Sequence, residues 1–354
     1  MKMMSRTYKT STWIGIMLAV FCAVCRCSVS VADWYALNLY PIISDVLSWC
    51  SSPIPFSLEE ITIVAIILLA IIVICIGFKR HWGWRRCLVY EGTILLWTYV
   101  WFYVAWCNNY SRSNIFDRVS APVAEYDKAE FIDFCRTIIH EANNNWTKEA
   151  QYSQDQLETE IKSLYADVPK KFGLSTPRSW HHPKAIMFRS VYSSVGILGF
   201  MAPLFGESLL NGDLQDYDYP FTYAHEYAHM LGISSEAEAN WWAFNITTCS
   251  KSKSVRYSGY KGILPYVLNN ARLALTQQEY ENLFDSIDER IIEDLDNTRI
   301  HWRSKRSPLL RSIHEWTYDT FLKSNNIATG IKNYSEVISM LISLKDEKVT
   351  ISTN

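Results

Sequence analysis

The sequence predicts an α+β, mainly helical protein, in which three N-terminal transmembrane helices precede a domain that contains a small sheet. Three observations support this fold class. Long apolar runs are confined to residues 1–110, amphipathic helical patterning dominates after them, and one glycine-punctuated stretch is rich in branched and aromatic residues. Because about 20 apolar residues cross a bilayer, we divide the 354 residues into a transmembrane region, 1–110, and a second domain, 111–354.

Composition narrows the class of protein before any motif is considered. The chain is 49% apolar and 20% charged, with a formal net charge of −2. A chain without a basic excess cannot neutralise a phosphate backbone, so we expect no nucleic-acid partner. The nine cysteines are odd in number, and several lie in apolar runs, where thiols pack as small hydrophobic groups. A disulfide framework is therefore not expected.

The three predicted spans cover about residues 11–27, 59–78 and 87–107. The second is the clearest, because its run Ile61–Phe78 has eighteen residues and no charge, which favours a span over a buried helix. The first is short and follows basic residues, so a signal peptide is the alternative to the uncleaved anchor that we favour. The third is rich in Trp and Tyr towards its end, which is typical of a membrane interface.

The loop between the second and third spans sets the predicted orientation. This loop, Lys79–Arg86, reads KRHWGWRR and has four basic residues in eight. Basic loops stay in the cytoplasm, so this loop and the basic N-terminus are placed inside. Three spans then place everything after Cys107 outside. We expect a multi-pass protein of the cytoplasmic membrane, with the lipid bilayer as a partner and the second domain extracytoplasmic.

The second domain has helical patterning at both ends and a predicted strand region between them. Apolar and charged residues alternate at helical spacing over 125–168, and the sequence from Pro220 to the end is also mainly helical in pattern. Ala185–Ser194 is rich in β-branched and aromatic residues and predicts a strand. Gly196–Gly212 contains repeated glycines and predicts short strands or a hairpin.

Residues 225–229, HEYAH, match the pattern H-E-x-x-H. Residues four apart share a helix face, so His225 and His229 can bind one Zn²⁺ together. Glu226 lies about 100° round the helix and can reach a water on the metal. Zinc lowers the pKa of that water, and the carboxylate takes its proton. The spacing therefore predicts a zinc site with Glu226 as general base, and the apolar flanks disfavour two solvated surface histidines.

A catalytic zinc needs a third protein ligand and an open fourth position. Gly232 is suited to ending the motif helix, and the serine pair that follows is suited to capping a second helix. In that helix Glu236 and Asn240 share a face, while Glu238 points elsewhere. One of the two glutamates is expected to be the third ligand. The alternative is that both are ordinary charges of a first helical turn.

The motif followed by EAEAN, Glu236–Asn240, resembles gluzincin-type metallopeptidases. In these enzymes a glutamate four residues before an Asp or Asn completes the zinc site, and that Asp or Asn supports the ligands. The resemblance implies one Zn²⁺ per chain, Glu236 as the third ligand and Asn240 as the supporting residue, with Glu238 kept as the alternative ligand. Ser235 stands where HExxHxxGxxH proteases hold a third His, so that class is disfavoured.

Further features recur over nearly the full length. They are the three N-terminal spans and the segments YPIISDVLSWCSSPIPFSL, GILGFMAPLFGESLLN, PFTYAHEYAHMLGISSEAEAN and DTFLKSNNIATGIKNYSEVISMLISL. With these features the chain resembles a family of bacterial membrane proteins catalogued as domain of unknown function 3810. Ser235 departs from the basic residue expected at its position, which leaves the zinc ligands untouched. The two resemblances together imply a zincin-like metallopeptidase domain over 111–354 and a location in the bacterial cytoplasmic (inner) membrane.

Substrate binding and oxyanion stabilisation leave several candidates open. In zincins a strand ahead of the motif helix pairs with the extended substrate, and Ala185–Ser194 or Gly199–Leu210 could serve here. Glu207, within the second stretch, is a further candidate that the sequence does not assign. The side chains that could donate to a developing oxyanion, which the sequence does not rank, are Tyr318, Tyr334, His301 and His314.

These features predict a membrane-anchored zinc-dependent metallopeptidase, a hydrolase acting on peptide or protein substrates, with Glu226 as its general base. The alternative is a catalytically inactive zinc-containing envelope domain that binds peptides or proteins. A transporter or channel is disfavoured, because Ile61–Phe78 and the third span together hold one acid, Glu91, and so offer no ion path. The oligomeric state does not follow from the sequence.

Overall fold

The structure is a computed structural model that describes residues 2–325 and 336–345, with side chains from residue 10 onward. It is 71% helix and contains a three-stranded sheet, which confirms a mainly helical α+β chain. The chain divides into two compact units. Unit 1 comprises Met1–Ser113 and Ala202–Glu207, and unit 2 comprises Asn114–Met201 and Ser208–Asn354.

Unit 1 is built from helices. Their bounds are α1 (Lys2–Cys27), α2 (Val29–Trp34), α3 (Tyr40–Ser51), α4 (Leu58–Lys79) and α5 (Trp84–Ala105), with a π-helical turn at Tyr35–Leu39 and a 3₁₀ turn at Cys107–Ser111. By length and composition, three segments can cross a membrane: Thr10–Cys27, Leu58–Lys79 and Trp84–Ala105. Helices long and apolar enough to span a membrane thus lie at the three predicted positions, and the third ends two residues before its predicted bound because the chain turns into the 3₁₀ segment.

Glu207, one of the unassigned candidates, caps the first turn of α4. Its carboxylate accepts hydrogen bonds from the Ser57 hydroxyl at 3.4 Å and from the backbone N–H groups of Leu58 and Glu59 at 3.2 Å and 3.1 Å. The first N–H groups of a helix have no partner within it, and the positive end of the helix dipole favours an anion. Glu207 therefore stabilises the start of a helix that is long and apolar enough to span a membrane.

Unit 2 contains the sheet, except for its residues Ala202 and Glu207, and the other described helices. The helices are α6 (Ile115–Val119), α7 (Lys128–Asn145), α8 (Gln154–Ala166), α9 (Arg189–Val195), α10 (Tyr219–Met230), α11 (Glu236–Thr248), α12 (Lys253–Ala274), α13 (Gln277–Phe284), α14 (Glu289–Lys305), α15 (Pro308–Ser324) and α16 (Glu336–Ser343), with a 3₁₀ turn at Lys170–Phe172. Helices α7 and α8 lie where periodicity over 125–168 predicts them, and capping boxes begin both. The mainly helical C-terminal part is confirmed as far as it is described.

The sheet has the strand order β1–β3–β2. Strand β1 (Pro183–Ala185) runs parallel to β3 (Glu207–Leu210), and β2 (Gly199–Ala202) forms the other edge. The short strands predicted within Gly196–Gly212 are therefore confirmed. The strand predicted over Ala185–Ser194 is wrong beyond its first residue, since α9 occupies most of it. Branched and aromatic residues favour a strand only where neighbouring strands pack against them.

Aromatic side chains form the core of unit 2 around α10 and α11. Trp241 and Trp242 are almost fully buried, and Trp242 contacts the rings of Phe172 and Tyr165 with centroids 5.1 Å and 6.2 Å apart. The Tyr165 hydroxyl donates to the backbone carbonyl of Ala224 at 2.8 Å, inside the motif helix. Large buried rings contribute much of a core's stabilisation, so α10 and α11 are held by the aromatic core of the unit.

Candidate metal centre

A sharp turn joins the motif helix to the next one. Helix α10 has Pro220 in its first turn, where a missing N–H is tolerated, and Gly232 follows its end with φ of 97°. A positive φ suits glycine because a Cβ would clash with the backbone. Ser235 then caps α11 by accepting a hydrogen bond from the Glu238 N–H at 3.3 Å. The glycine stop and the serine cap are where the sequence places them.

The turn brings three of the predicted ligands together. The Nε2 atoms of His225 and His229 are 3.1 Å apart, and they lie 3.2 Å and 3.7 Å from Oε2 of Glu236. We call these three residues the His–His–Glu cluster. Zinc bonds of about 2.0–2.1 Å in a tetrahedron place neighbouring ligand atoms about 3.3 Å apart. The three separations match one face of such a tetrahedron.

The hydrogen-bond partners of the two Nδ1 atoms determine the tautomers of the His225 and His229 rings. Nδ1 of His229 is 2.6 Å from the backbone oxygen of Ile233, and Nδ1 of His225 is 2.9 Å from Oδ1 of Asn240. Because both oxygens accept, both Nδ1 atoms donate, and in neutral rings both Nε2 atoms carry lone pairs. Those lone pairs and the Glu236 carboxylate then face one another. A cation among them would remove the repulsion, and the Nδ1 partners orient both rings for it.

The electrostatics of the cluster also favour positive charge. Burial by itself would lower the pKa of His229, but the charge and hydrogen bond of Glu236 outweigh it and raise that pKa to about 9. Burial by itself would raise the pKa of Glu236, but His229 and His225 hold it well below its usual range. Both directions have one physical cause, a buried carboxylate that stabilises a nearby cation.

Glu226 lies next to the cluster and against strand β2. It is 5% exposed, and the Met201 N–H donates a hydrogen bond to its carboxylate. A Cβ on Gly199 would lie 2.8 Å from Cγ of Glu226, so only glycine lets the strand approach this closely. Among the described residues, Oε2 of Glu226 has no hydrogen-bond partner. Burial raises the pKa of this carboxyl, which makes it a stronger base than an exposed glutamate.

Glu238, the alternative ligand, lies away from the cluster. Its carboxylate forms a buried ion pair with Arg118 and accepts a hydrogen bond from Nε1 of Trp242 at 3.2 Å. Arg118 also donates to the backbone oxygen of Phe172 at 2.9 Å. The structure thus brings Glu236, and not Glu238, to the two histidines. Sequence reasoning gave no sign of Arg118, which lies 120 residues from its partner.

Of the three candidate oxyanion donors that the structure describes, one reaches the cluster. The Tyr318 hydroxyl donates to Oε1 of Glu236 at 2.6 Å. His314 stacks on the Tyr318 ring with centroids 5.8 Å apart, and His301 lies 2.7 Å from a backbone oxygen in the loop before α10. Tyr334 lies outside the described residues. The sequence names Tyr318 as a candidate without indicating that its partner is a predicted metal ligand.

One protein-family model matches most of the chain. Residues 35–342 match the family described as a protein of unknown function, DUF3810. The chain belongs to this family. The match confirms the family resemblance found in the sequence, whereas no curated protein and no solved structure matches the chain. DUF3810 membership by itself assigns no activity to the chain.

The donor set in this DUF3810 protein fits a zinc ion. Two imidazole nitrogens and one carboxylate oxygen are ligand atoms that zinc accepts, and they all lie within 4.8 Å of one another. The side chains of His225, His229 and Glu236 are 12%, 7% and 11% exposed, so the cluster is neither sealed in the core nor spread over the surface. Three protein ligands with some solvent access are what a hydrolytic zinc site requires.

Proposed function

We propose that the chain is a membrane-anchored zinc-dependent metallopeptidase that hydrolyses peptide bonds. The observation that carries the proposal is the convergence of His225, His229 and Glu236, with the carboxylate of Glu226 beside them. These three ligands would hold one Zn²⁺ per chain and leave a coordination position open. A zinc ion bound there supplies a Lewis acid that polarises a carbonyl and lowers the pKa of water.

Glu226 would move the proton that peptide hydrolysis requires. Its unpartnered Oε2 is the atom that would take a proton from the attacking water and later deliver it to the leaving amine. The hydrogen bond from Met201 and the close approach of Gly199 hold the carboxylate in place. A base fixed in this way contributes about 10²–10⁴-fold to a rate.

Strand β2 would hold the substrate. It is an edge of the sheet, and Gly199 within it contacts the general base. An edge strand offers unpaired backbone N–H and C=O groups to an extended peptide, which adds as a further strand. This assignment selects Gly199–Leu210 from the two candidate stretches, since α9 replaces most of the other. Backbone pairing would leave selectivity to side chains flanking the cut.

The proposed location is the extracytoplasmic side of a bacterial inner membrane. The support is the charge of Lys79–Arg86 between the second and third candidate spans and the positive-inside rule. In this orientation the cluster meets proteins and peptides of the cell envelope. The proposed substrates are therefore peptides or envelope proteins that adopt an extended conformation.

Zinc content and cleavage together test the function. The full chain, purified in detergent, should contain about one zinc per chain and cleave a proteome-derived peptide library. His225→Ala should remove both properties, while Glu226→Gln should keep the metal and abolish cleavage. His140→Ala is the matched control, because this exposed histidine contacts the Asn144 side chain outside the cluster.

The possible results of this experiment test the general-base role, the catalytic function and the zinc site separately. Retained cleavage by Glu226→Gln would overturn the general-base role. Zinc binding by wild type and Glu226→Gln without cleavage by either would support the alternative, an inactive zinc-containing domain that binds envelope peptides or proteins. Absence of zinc from the wild-type chain would overturn both.

Topology has a separate test. Protease added to intact spheroplasts should digest unit 2 and leave the membrane-spanning segments. A fusion of a reporter that is fluorescent only in the cytoplasm should stay dark after residue 345 and be bright within Lys79–Arg86. Protection of unit 2 in spheroplasts, with digestion only after lysis, would reverse the proposed orientation.

A further inference from the structure

Each residue of the His–His–Glu cluster has a second polar atom, Nδ1 in the histidines and Oε1 in Glu236, that lies within hydrogen-bond distance of another group. Asn240 binds Nδ1 of His225, and the backbone oxygen of Ile233 binds Nδ1 of His229. Both partners belong to the segment that carries the ligands themselves. The outer oxygen of Glu236 is bound by Tyr318, which comes from α15, 82 residues along the chain.

The geometry of the Tyr318 contact separates the two oxygens of Glu236. Oε1 accepts the phenolic hydrogen at 2.6 Å, while Oε2 faces the two histidine nitrogens. A short O–H···O⁻ bond is among the stronger hydrogen bonds in proteins. It limits rotation of the carboxylate, so that one oxygen stays directed at the metal position.

The tyrosine is itself held by its own helix. Its ring stacks with those of His314 and Phe321, at centroid distances of 5.8 Å and 6.5 Å and interplanar angles of 13° and 17°. Contact with these two rings restricts the Tyr318 ring, so little side-chain freedom is lost when the hydroxyl binds Glu236. The position of α15 is thereby coupled to the position of a ligand.

We propose that Tyr318 is a positioning residue that orients Glu236 for metal binding, which makes α15 part of the metal centre. The inference rests on the proposed zinc function and goes beyond it, because it assigns the hydroxyl to the ligand rather than to the substrate. Groups that orient metal ligands from outside typically change metal affinity by about 10–100-fold when they are removed.

The two roles for Tyr318 predict different measurements. A hydroxyl that only stabilises an oxyanion would change kcat and leave metal affinity unchanged, since the metal does not sense it in the absence of substrate. A hydroxyl that orients Glu236 changes the affinity for zinc in the absence of any substrate. Metal affinity therefore separates the roles without an activity assay.

The test uses the full chain in detergent and competition for Zn²⁺ with a chromophoric chelator. Tyr318→Phe keeps the ring and removes the hydroxyl, and it should weaken zinc binding about 10–100-fold. Tyr152→Phe is the matched control, because Tyr152 also donates a 2.6 Å hydrogen bond, but to the backbone oxygen of Asp216. Affinities are compared at a temperature at which the zinc-free forms of all three chains are folded, as shown by circular dichroism.

The outcomes separate this inference from the function on which it rests. Weaker zinc binding by Tyr318→Phe alone, with Tyr152→Phe unchanged, supports the inference. Equal affinity in wild type and Tyr318→Phe overturns it and leaves the proposed metallopeptidase intact. Failure of the wild-type chain to bind one zinc overturns the proposed function, whatever the variants do.

Discussion

The first turn of α11 presents two carboxylates to two different surroundings. On one face Glu238 pairs with the guanidinium of Arg118 and accepts from the indole of Trp242. On the other face Glu236 meets two imidazole nitrogens and the Tyr318 hydroxyl. Both carboxylates are nine-tenths buried or nearly so, so each needs compensation for the loss of water.

The difference lies in where the compensating positive charge comes from. A guanidinium stays protonated at every physiological pH, so the Glu238 site is complete with protein atoms alone. The imidazoles facing Glu236 are neutral when their Nε2 lone pairs are free, so that site is completed only by a proton or a metal cation. The Glu238 face therefore stabilises the fold, and the Glu236 face can bind a cation.

The largest expected effect is on zinc affinity, which should respond differently to variants on the two faces of α11. Glu236→Gln should lower zinc affinity by more than about 100-fold, beyond the range for groups that only orient a ligand, because it removes the charged donor. Glu238→Gln should leave zinc affinity within about threefold, since its face holds no metal ligand. Equal losses in both variants, measured by chelator competition on folded protein, would show that the two faces do not differ in function.

The second largest expected effect is on the free energy of unfolding, and it concerns the Glu238 face of α11. Glu238→Gln leaves Arg118 buried without its partner, and breaking a buried pair in this way costs about 3–5 kcal/mol in the free energy of unfolding. Replacing both residues by apolar ones, Arg118→Met with Glu238→Leu, should recover most of that loss. Denaturant unfolding of the three chains measures this, and a single-variant loss below about 1 kcal/mol would contradict the assigned role.

The third effect concerns the contact between β2 and the general base. Gly199→Ala places a Cβ 2.8 Å from Cγ of Glu226 and 2.9 Å from the backbone oxygen of Leu209, so the carboxylate or the strand must move. Peptide cleavage should fall about 100-fold, within the range that a positioned base contributes, while zinc content stays near one per chain. Gly212→Ala is the control, because its nearest neighbours would lie at 3.5 Å, and a similar loss there would refute the argument.

The smallest effect concerns the cap of α11. Ser235→Ala removes the side chain that accepts from the Glu238 N–H, and the loss of such a cap costs about 1 kcal/mol. Because the cap acts on the whole first turn, zinc affinity should change by less than about threefold. Thermal unfolding with and without zinc checks both numbers, and a large selective loss of zinc binding would show that the cap positions Glu236 directly.

Much of the architecture follows from local pattern. Apolar length determines the three candidate spans, helical periodicity determines α7 and α8, and the glycine-rich stretch marks the two strands β2 and β3. The predicted strand over Ala185–Ser194 fails beyond its first residue, because Arg189–Val195 forms α9, which is capped by Gly196 with φ of 84°. Strand propensity depends on neighbours that a sequence does not show.

Spacing along the sequence by itself determined the separation of His225 and His229, because residues four apart share a helix face whatever surrounds the helix. The turn at Gly232 and the cap at Ser235 are local for the same reason. Only the tertiary structure decided which glutamate meets the histidines, since Arg118 and Tyr318 lie 120 and 82 residues from their carboxylate partners. Charge pairing and desolvation act through space, and contacts across such distances arise only when the chain is folded.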